Sequence, residues 1–149
     1  MNKPTQNRPR PLTILMADDD ADDSFLVAET LKSLGCESDF RLVKDGVELM
    51  DYLNRRGPFA DPKLSPLPSL LLLDLNMPRK DGRQALREIK ADPCLEKILV
   101  VVWTTSALKE DRVLCFEAGA DDYVTKPESY EELTEEVRSL CRRLIQVSF

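Results

Sequence analysis

Residues 69–82 read Ser-Leu-Leu-Leu-Leu-Asp-Leu-Asn-Met-Pro-Arg-Lys-Asp-Gly, and this stretch decides the fold. The leucines Leu70, Leu71, Leu72 and Leu73 leave no polar face, so a strand over residues 69–73 must be covered on both sides, as strands of a parallel sheet are. Helices have to supply that cover. Outward in both directions, short β-type runs alternate with longer helical patterns, five pairs in all, which predicts an α/β protein with a parallel sheet.

Toward the N-terminus, residues 12–17 read as the first strand. The helix after it places Phe25, Ala28, Leu31 and Leu34 on one apolar face, with Gly35 where a left-handed backbone closes a helix. Residues 38–43 form a plausible second strand, and Val47, Met50 and Leu53 stripe the second helix. Residues 54–68 hold four prolines and no apolar period, which predicts a loop of about fifteen residues, longer than most connections and hence functional or an insertion. Toward the C-terminus, Ala85, Leu86 and Ile89 mark the third helix and the β-branched residues 98–103 the fourth strand. A further helix reaches Phe116 before Gly119 closes it, and Tyr123 and Val124 belong to a short fifth strand. In the last helix Ser129 and Glu132 make a capping box, and Leu133, Val137, Leu140, Cys141, Leu144 and Ile145 form a stripe of period 3.6.

A chain of 149 residues has room for one well-buried domain and not two. This places a domain at 12–146, flanked by a disordered, proline-rich and basic tail at 1–11 and a short tail at 147–149, with no output domain. No apolar run approaches the roughly 18 residues of a membrane span, and the N-terminus lacks the apolar stretch of a secretion signal, so a soluble, cytoplasmic protein is expected. The net charge of −6 argues against a nucleic-acid surface, which needs clustered Lys and Arg. Cys36, Cys94, Cys115 and Cys141 are widely spaced with no C-x-x-C pair, as suits reduced structural thiols rather than a disulfide framework or a zinc site. The chain contains no histidine. That removes Ser-His-Asp and Cys-His catalysis, histidine-ligated zinc and a phosphohistidine role, and leaves carboxylate, hydroxyl and lysine chemistry.

In open parallel α/β sheets ligands bind at the carboxyl ends of the strands. Here the first strand ends in Asp18-Asp19-Asp20, the third in Asp74, the fourth in Thr104-Thr105-Ser106 and the fifth in Lys126-Pro127. Each has a bland alternative: aspartates 18–20, 22 and 23 as a helix cap with favourable dipole charges, Asp74 as a turn residue, Thr104 as a core hydroxyl, Lys126 as a solvated turn lysine. Their joint placement at four strand ends favours a site. Clustered carboxylates repel unless one is protonated or a cation neutralises them, and an all-oxygen donor set suits a hard ion, Mg²⁺ or Mn²⁺. The cation and Lys126 would screen an incoming phosphoryl group while Asp74 attacks it as a nucleophile and Thr104 donates a hydrogen bond.

Asp18-Asp19, the run from Leu70 through Asp74 to Pro78, Asp81-Gly82, Thr104 and Lys126-Pro127 occur in the order found in the receiver domains of two-component response regulators, and the chain resembles that family over about residues 12 to 146. The resemblance implies a flavodoxin-like three-layer sandwich with a five-stranded parallel sheet of order 2-1-3-4-5 and five helices. It implies Asp74 as phosphoacceptor and a metal held by Asp18, Asp19, Asp74 and the backbone carbonyl of Asn76. It also implies Lys126 as the family's lysine with a cis bond to Pro127, and Thr104 and Tyr123 as the coupled hydroxyl and aromatic switch. Tyr123 as an inert core aromatic stays open.

Such a protein is a phosphoacceptor rather than an enzyme, although it assists its own phosphorylation and dephosphorylation. Its donor is a sensor histidine kinase, and its phosphorylated form presents the surface of the fourth helix, fifth strand and fifth helix to a partner protein. The proline-rich loop, the segment from Asp74 to Gly82 and Thr104-Thr105-Ser106 are similar to the stand-alone regulators paired with bacterial and cyanobacterial phytochromes, which adds a phytochrome-type kinase as partner. Thr105 departs from the small residue usual there. Val147 and Phe149 offer apolar contact for a homodimer. Two other classes compete. An aspartate-nucleophile phosphatase would want a second Asp where Asn76 stands, and a flavin carrier would not place five aspartates in its phosphate loop.

Overall fold

The leucine run is a strand because its neighbours cover both of its faces and both of its edges. The computed structural model describes the backbone of residues 12–36 and 38–147 and side chains through residue 145. The expected tail at 1–11 and the contact expected of Val147 and Phe149 lie outside the described residues. Five strands, β1 (Leu12–Ala17), β2 (Ser38–Val43), β3 (Leu70–Leu73), β4 (Leu99–Thr104) and β5 (Asp122–Thr125), form one parallel sheet of order β2-β1-β3-β4-β5. Between and after them run α1 (Ala21–Ser33), α2 (Gly46–Leu53), α3 (Gly82–Ala91), α4 (Lys109–Glu117) and α5 (Tyr130–Val147).

Alternate strand residues serve opposite layers. Leu71, Leu73, Val100 and Val102 join Leu49, Leu53, Leu86 and Ile89 on one side of the sheet. Leu70, Leu72, Val101 and Trp103 join Val27, Leu31, Val137 and Leu140 on the other. Each core leucine removed from water contributes roughly 2 kcal/mol, so both layers bind the strands whose ends carry the polar residues.

The first helix packs by a face shifted from the one its apolar residues predict, keeping Leu31 in the core and Leu34 against it. Ser24, Val27, Thr30 and Leu31 are buried, whereas Phe25 is 63% exposed. The two hydroxyls go inside because each is satisfied within its own helix: Ser24 Oγ donates to the Ala21 carbonyl at 3.1 Å and Thr30 Oγ1 to that of Leu26 at 2.7 Å. Self-paired hydroxyls cost little to bury. In α5, Leu133, Val137, Leu140 and Leu144 are core while Ile145 is exposed, so the stripe is narrower than its sequence. The Ser129 cap accepts from Glu132 N at 3.1 Å, but the Glu132 carboxylate turns to Glu128 N at 3.4 Å instead of closing the box on Ser129.

The long connection before β3 is folded onto the body. It contains a 3₁₀ turn at Gly57–Phe59, the Phe59 ring lies 5.1 Å from that of Tyr52, and Tyr52 OH donates to the Pro66 carbonyl at 2.7 Å. Gly35 and Gly119 carry φ of 71° and 107°, the left-handed backbone that ends α1 and α4 at low cost. Cys115 is buried, Cys36 and Cys141 are partly buried and Cys94 is exposed.

Candidate functional site

Parallel pairing in register brings the strand ends to one rim. Ala17 pairs with Leu73 and Leu73 with Val102, so Asp18, Asp74 and Thr104 leave neighbouring strands at the same edge. Thr104 pairs with Thr125, and Lys126 N donates to the Thr104 carbonyl at 2.7 Å, which fixes Lys126 beside them. A side-chain oxygen from each of Asp18, Asp19 and Asp74 lies within 4.8 Å of the others. Gly82 packs closely against the backbone of Asp74 and Leu75. A Cβ there would run into the Asp74 carbonyl, and its N–H donates to the Leu75 carbonyl at 2.9 Å.

One ammonium faces several carboxylates. Lys126 Nζ stands 2.7 Å from Asp23 Oδ2, 2.8 Å from Asp18 Oδ2 and 3.5 Å from Asp74 Oδ2. Burial works against the charge on Lys126, but the close carboxylates of Asp18 and Asp23 outweigh it and hold the ammonium well above the ordinary lysine value. Asp18 moves the unfavourable way: burial pushes its carboxyl up, and Lys126 offsets this only in part. The two directions have different causes: neighbouring carboxylates raise Lys126, whereas burial, with a smaller contribution from Asp74, raises Asp18.

Asp18 is 1% exposed, and its Oδ2, although near Lys126, receives no well-directed hydrogen bond. Its other oxygen accepts from Asp20 N at 2.9 Å, and Asp74 Oδ1 accepts from Asn76 N at 3.2 Å. A buried carboxylate oxygen without an aligned donor, beside two more carboxylates and no sulfur or imidazole, fits a hard divalent cation.

The remaining expected residues sit beside this cluster. Thr104 is fully buried, and its Oγ1 accepts from Ser106 N at 3.4 Å, which leaves its O–H available to donate. The Tyr123 ring is buried, with its hydroxyl donating to the Ser106 carbonyl at 2.8 Å, so both residues expected to form the switch touch the same loop. Thr105 is exposed. The cis bond expected at Lys126–Pro127 is absent: no described peptide bond is cis. The trans form is the lower-energy one before proline, and with it Lys126 already reaches all three carboxylates.

Two features escape the sequence reading. Asp23, read as helix-cap charge, sends its carboxylate to Lys126, 103 residues away. The cap itself is Asp20, which accepts from Asp22 N and Asp23 N. The second is a partly buried ion pair on the α4 side. Arg83 donates to both oxygens of Asp111 at 2.7 Å, Ser106 Oγ donates to Asp111 Oδ2 at 2.5 Å, and Asp81 takes the outer face of the guanidinium at 3.1 Å. With Arg83 as the main cause and Ser106 the next, the Asp111 carboxyl is held down at about 2. Nothing in the local sequence of Arg83 or Asp111 signals a pairing across 28 positions.

Strand order, rim carboxylates and lysine together define the class: residues 14–138 match the response regulator receiver domain, and the chain belongs to that family. Among its relatives, response regulator Rcp1 of Synechocystis sp. is 38% identical over 130 residues, covering 87% of this chain and 86% of that protein. The crystal structure of the Mn²⁺-bound form of Rcp1 superposes with a TM-score of 0.80, over 87% of this chain and 91% of that one. The phosphorylated cyanobacterial phytochrome response regulator RcpA is similar at 35% identity and a TM-score of 0.81, covering 88% and 91%. RPA3017, in red light signalling of R. palustris, gives 34% and 0.81 over the same shares. Among the described residues no helix is long and apolar enough to cross a membrane.

Proposed function

We propose that the chain accepts a phosphoryl group on Asp74 from the phosphohistidine of a sensor histidine kinase, in the presence of Mg²⁺ or Mn²⁺, as a cytoplasmic signalling switch rather than an enzyme. The observation that carries this is the convergence of Asp18, Asp19 and Asp74 within 4.8 Å with the Lys126 ammonium 3.5 Å from Asp74. Asp18, Asp19, Asp74 and the backbone carbonyl of Asn76 would hold the cation. When bound, it draws negative charge from the phosphoryl oxygens and lets the carboxylates sit together.

In the transfer, a carboxylate oxygen of Asp74 attacks phosphorus, and the phosphorus–nitrogen bond to the kinase imidazole breaks with its electron pair going to the nitrogen. Lys126 neutralises one phosphoryl oxygen and the Thr104 hydroxyl donates to another. Because Ser106 N contacts Thr104 Oγ1 and the Ser106 carbonyl holds Tyr123, a Thr104 drawn toward the phosphoryl group moves the loop that anchors the Tyr123 ring. Two arrangements of that loop then differ in the contacts they make with phosphate, which is the condition for a population shift of the α4-β5-α5 surface. The partner that reads this surface is a downstream or phosphotransfer protein. The similarity to RcpA and Rcp1 supports a phytochrome-type kinase as donor. Incubation with a small acyl phosphate and Mg²⁺, followed by mass spectrometry, is expected to add one phosphoryl group to wild type and none to Asp74→Asn. Labelling of neither, under conditions that label another receiver, removes the proposal.

A further inference from the structure

The second ion contact of Lys126 has no place in the transfer just described. Its shortest contact, 2.7 Å, is to Asp23 on α1, and its longest, 3.5 Å, is to the phosphoacceptor. Asp23 is not needed as a cap, since Asp20 satisfies the N–H groups of the first turn. Nor is its carboxylate simply solvated: it reaches across to Lys126, the residue after β5, and shares a crevice with Leu26, Trp103 and Pro127.

An ammonium has three donors and no acceptor. Here Asp23 and Asp74 take hydrogen bonds from it and Asp18 stands against it as a close ion contact, so a phosphoryl oxygen must compete with these carboxylates for Lys126. If a cation takes up the charge of Asp18, Asp23 is the competitor that remains. From these contacts we infer that Asp23 is a positioning residue, a tether that holds Lys126 toward α1 and lowers the affinity of the Asp74 site for a phosphoryl group. This rests on Asp74 being the phosphoacceptor. Asp23 is one-third exposed, so water screens the pair and the effect is moderate.

The test is titration of the Mg²⁺-loaded protein with beryllofluoride, a phosphoryl-like anion, read by the fluorescence of Trp103, the chain's single tryptophan. Asp23→Asn is expected to bind the anion about three- to tenfold more tightly than wild type. Asp22→Asn removes the same charge from an exposed neighbouring position and is expected to stay within about twofold. Asp23→Glu restores the charge and is expected to return toward wild type, and Asp23→Asn adds nothing in a Lys126→Met background. Equal tightening by Asp22→Asn, or tightening that survives without Lys126, overturns the tether.

A second titration uses Mg²⁺ alone and needs no phosphoryl chemistry. Freed from Asp23, the ammonium leans on Asp18 and Asp74, so Asp23→Asn binds Mg²⁺ a few-fold more weakly and Asp22→Asn does not; no difference between the two variants overturns the tether. Wild type that binds Mg²⁺ but not beryllofluoride defeats the phosphoacceptor reading instead, which keeps the two failures apart.

Discussion

Two ionic clusters flank the carboxyl rim, one around Lys126 and one around Asp111, and they are balanced in opposite ways. Lys126 is a single cation among three carboxylates, one of which, Asp18, is buried with an oxygen that no donor addresses squarely. Asp111 is a single buried carboxylate met by both arms of Arg83 and by the Ser106 hydroxyl, with nothing left unpaired. A cluster that satisfies itself adds stability and has no use for a ligand. A cluster with surplus charge costs stability and is relieved when a cation or a new partner enters. By this comparison the Lys126 side is the one suited to take a ligand, and the Asp111 side is a frame beside the β4–α4 loop.

Breaking the frame gives the largest expected effect. Asp111→Ala leaves Arg83, mostly buried, with only Asp81, and is expected to cost about 3 kcal/mol, measured by urea unfolding, while Asp74 still accepts phosphate from an acyl phosphate. Asp18→Asn removes surplus charge instead, and in metal-free buffer is expected to leave stability unchanged or slightly raised. A large loss for Asp18→Asn together with none for Asp111→Ala would invert the comparison.

Next in size is the metal. Mg²⁺ at a hundredfold excess over its dissociation constant is expected to stabilise wild type by about 2.7 kcal/mol, seen as a rise in Tm that EDTA reverses and that Asp18→Asn lacks. The smallest effect is that of acid on the frame. The folded Asp111 carboxyl sits at about 2 and an unfolded one near 3.9. Its depressed value therefore contributes stability that is fully present above pH 4 and is lost as pH falls from about 4 to 2. That loss is expected to be roughly 1 to 2 kcal/mol, allowing for the partial exposure of Arg83, and Asp111→Ala is expected to show none of it.

The sheet was legible because the leucines of β3 admit one environment only, and because strand ends in a parallel sheet share a rim whatever the loops do. This is why Asp18, Asp19, Asp74 and Lys126 were recognisable from three separate segments. Phe25 misled because apolar spacing cannot report that Ser24 and Thr30 satisfy their hydroxyls inside the helix and so take the core face. The role of Asp23 was hidden among five aspartates, all of which suit a helix start. Arg83 and Asp111 were hidden because an ion pair between distant helices leaves no local period, and only the packing of α3 beside α4 creates it.

Chain order has a bearing on synthesis. The acids of the rim emerge from the ribosome at positions 18 to 23 and 74, and the ammonium that opposes them follows only at position 126. Until then the growing polypeptide carries those carboxylates without their opposing cation, and β5, which leads into the lysine, is one of the two edge strands of the sheet. The pocket thus gains its cation only after all five strands have been made, with α5 still to follow.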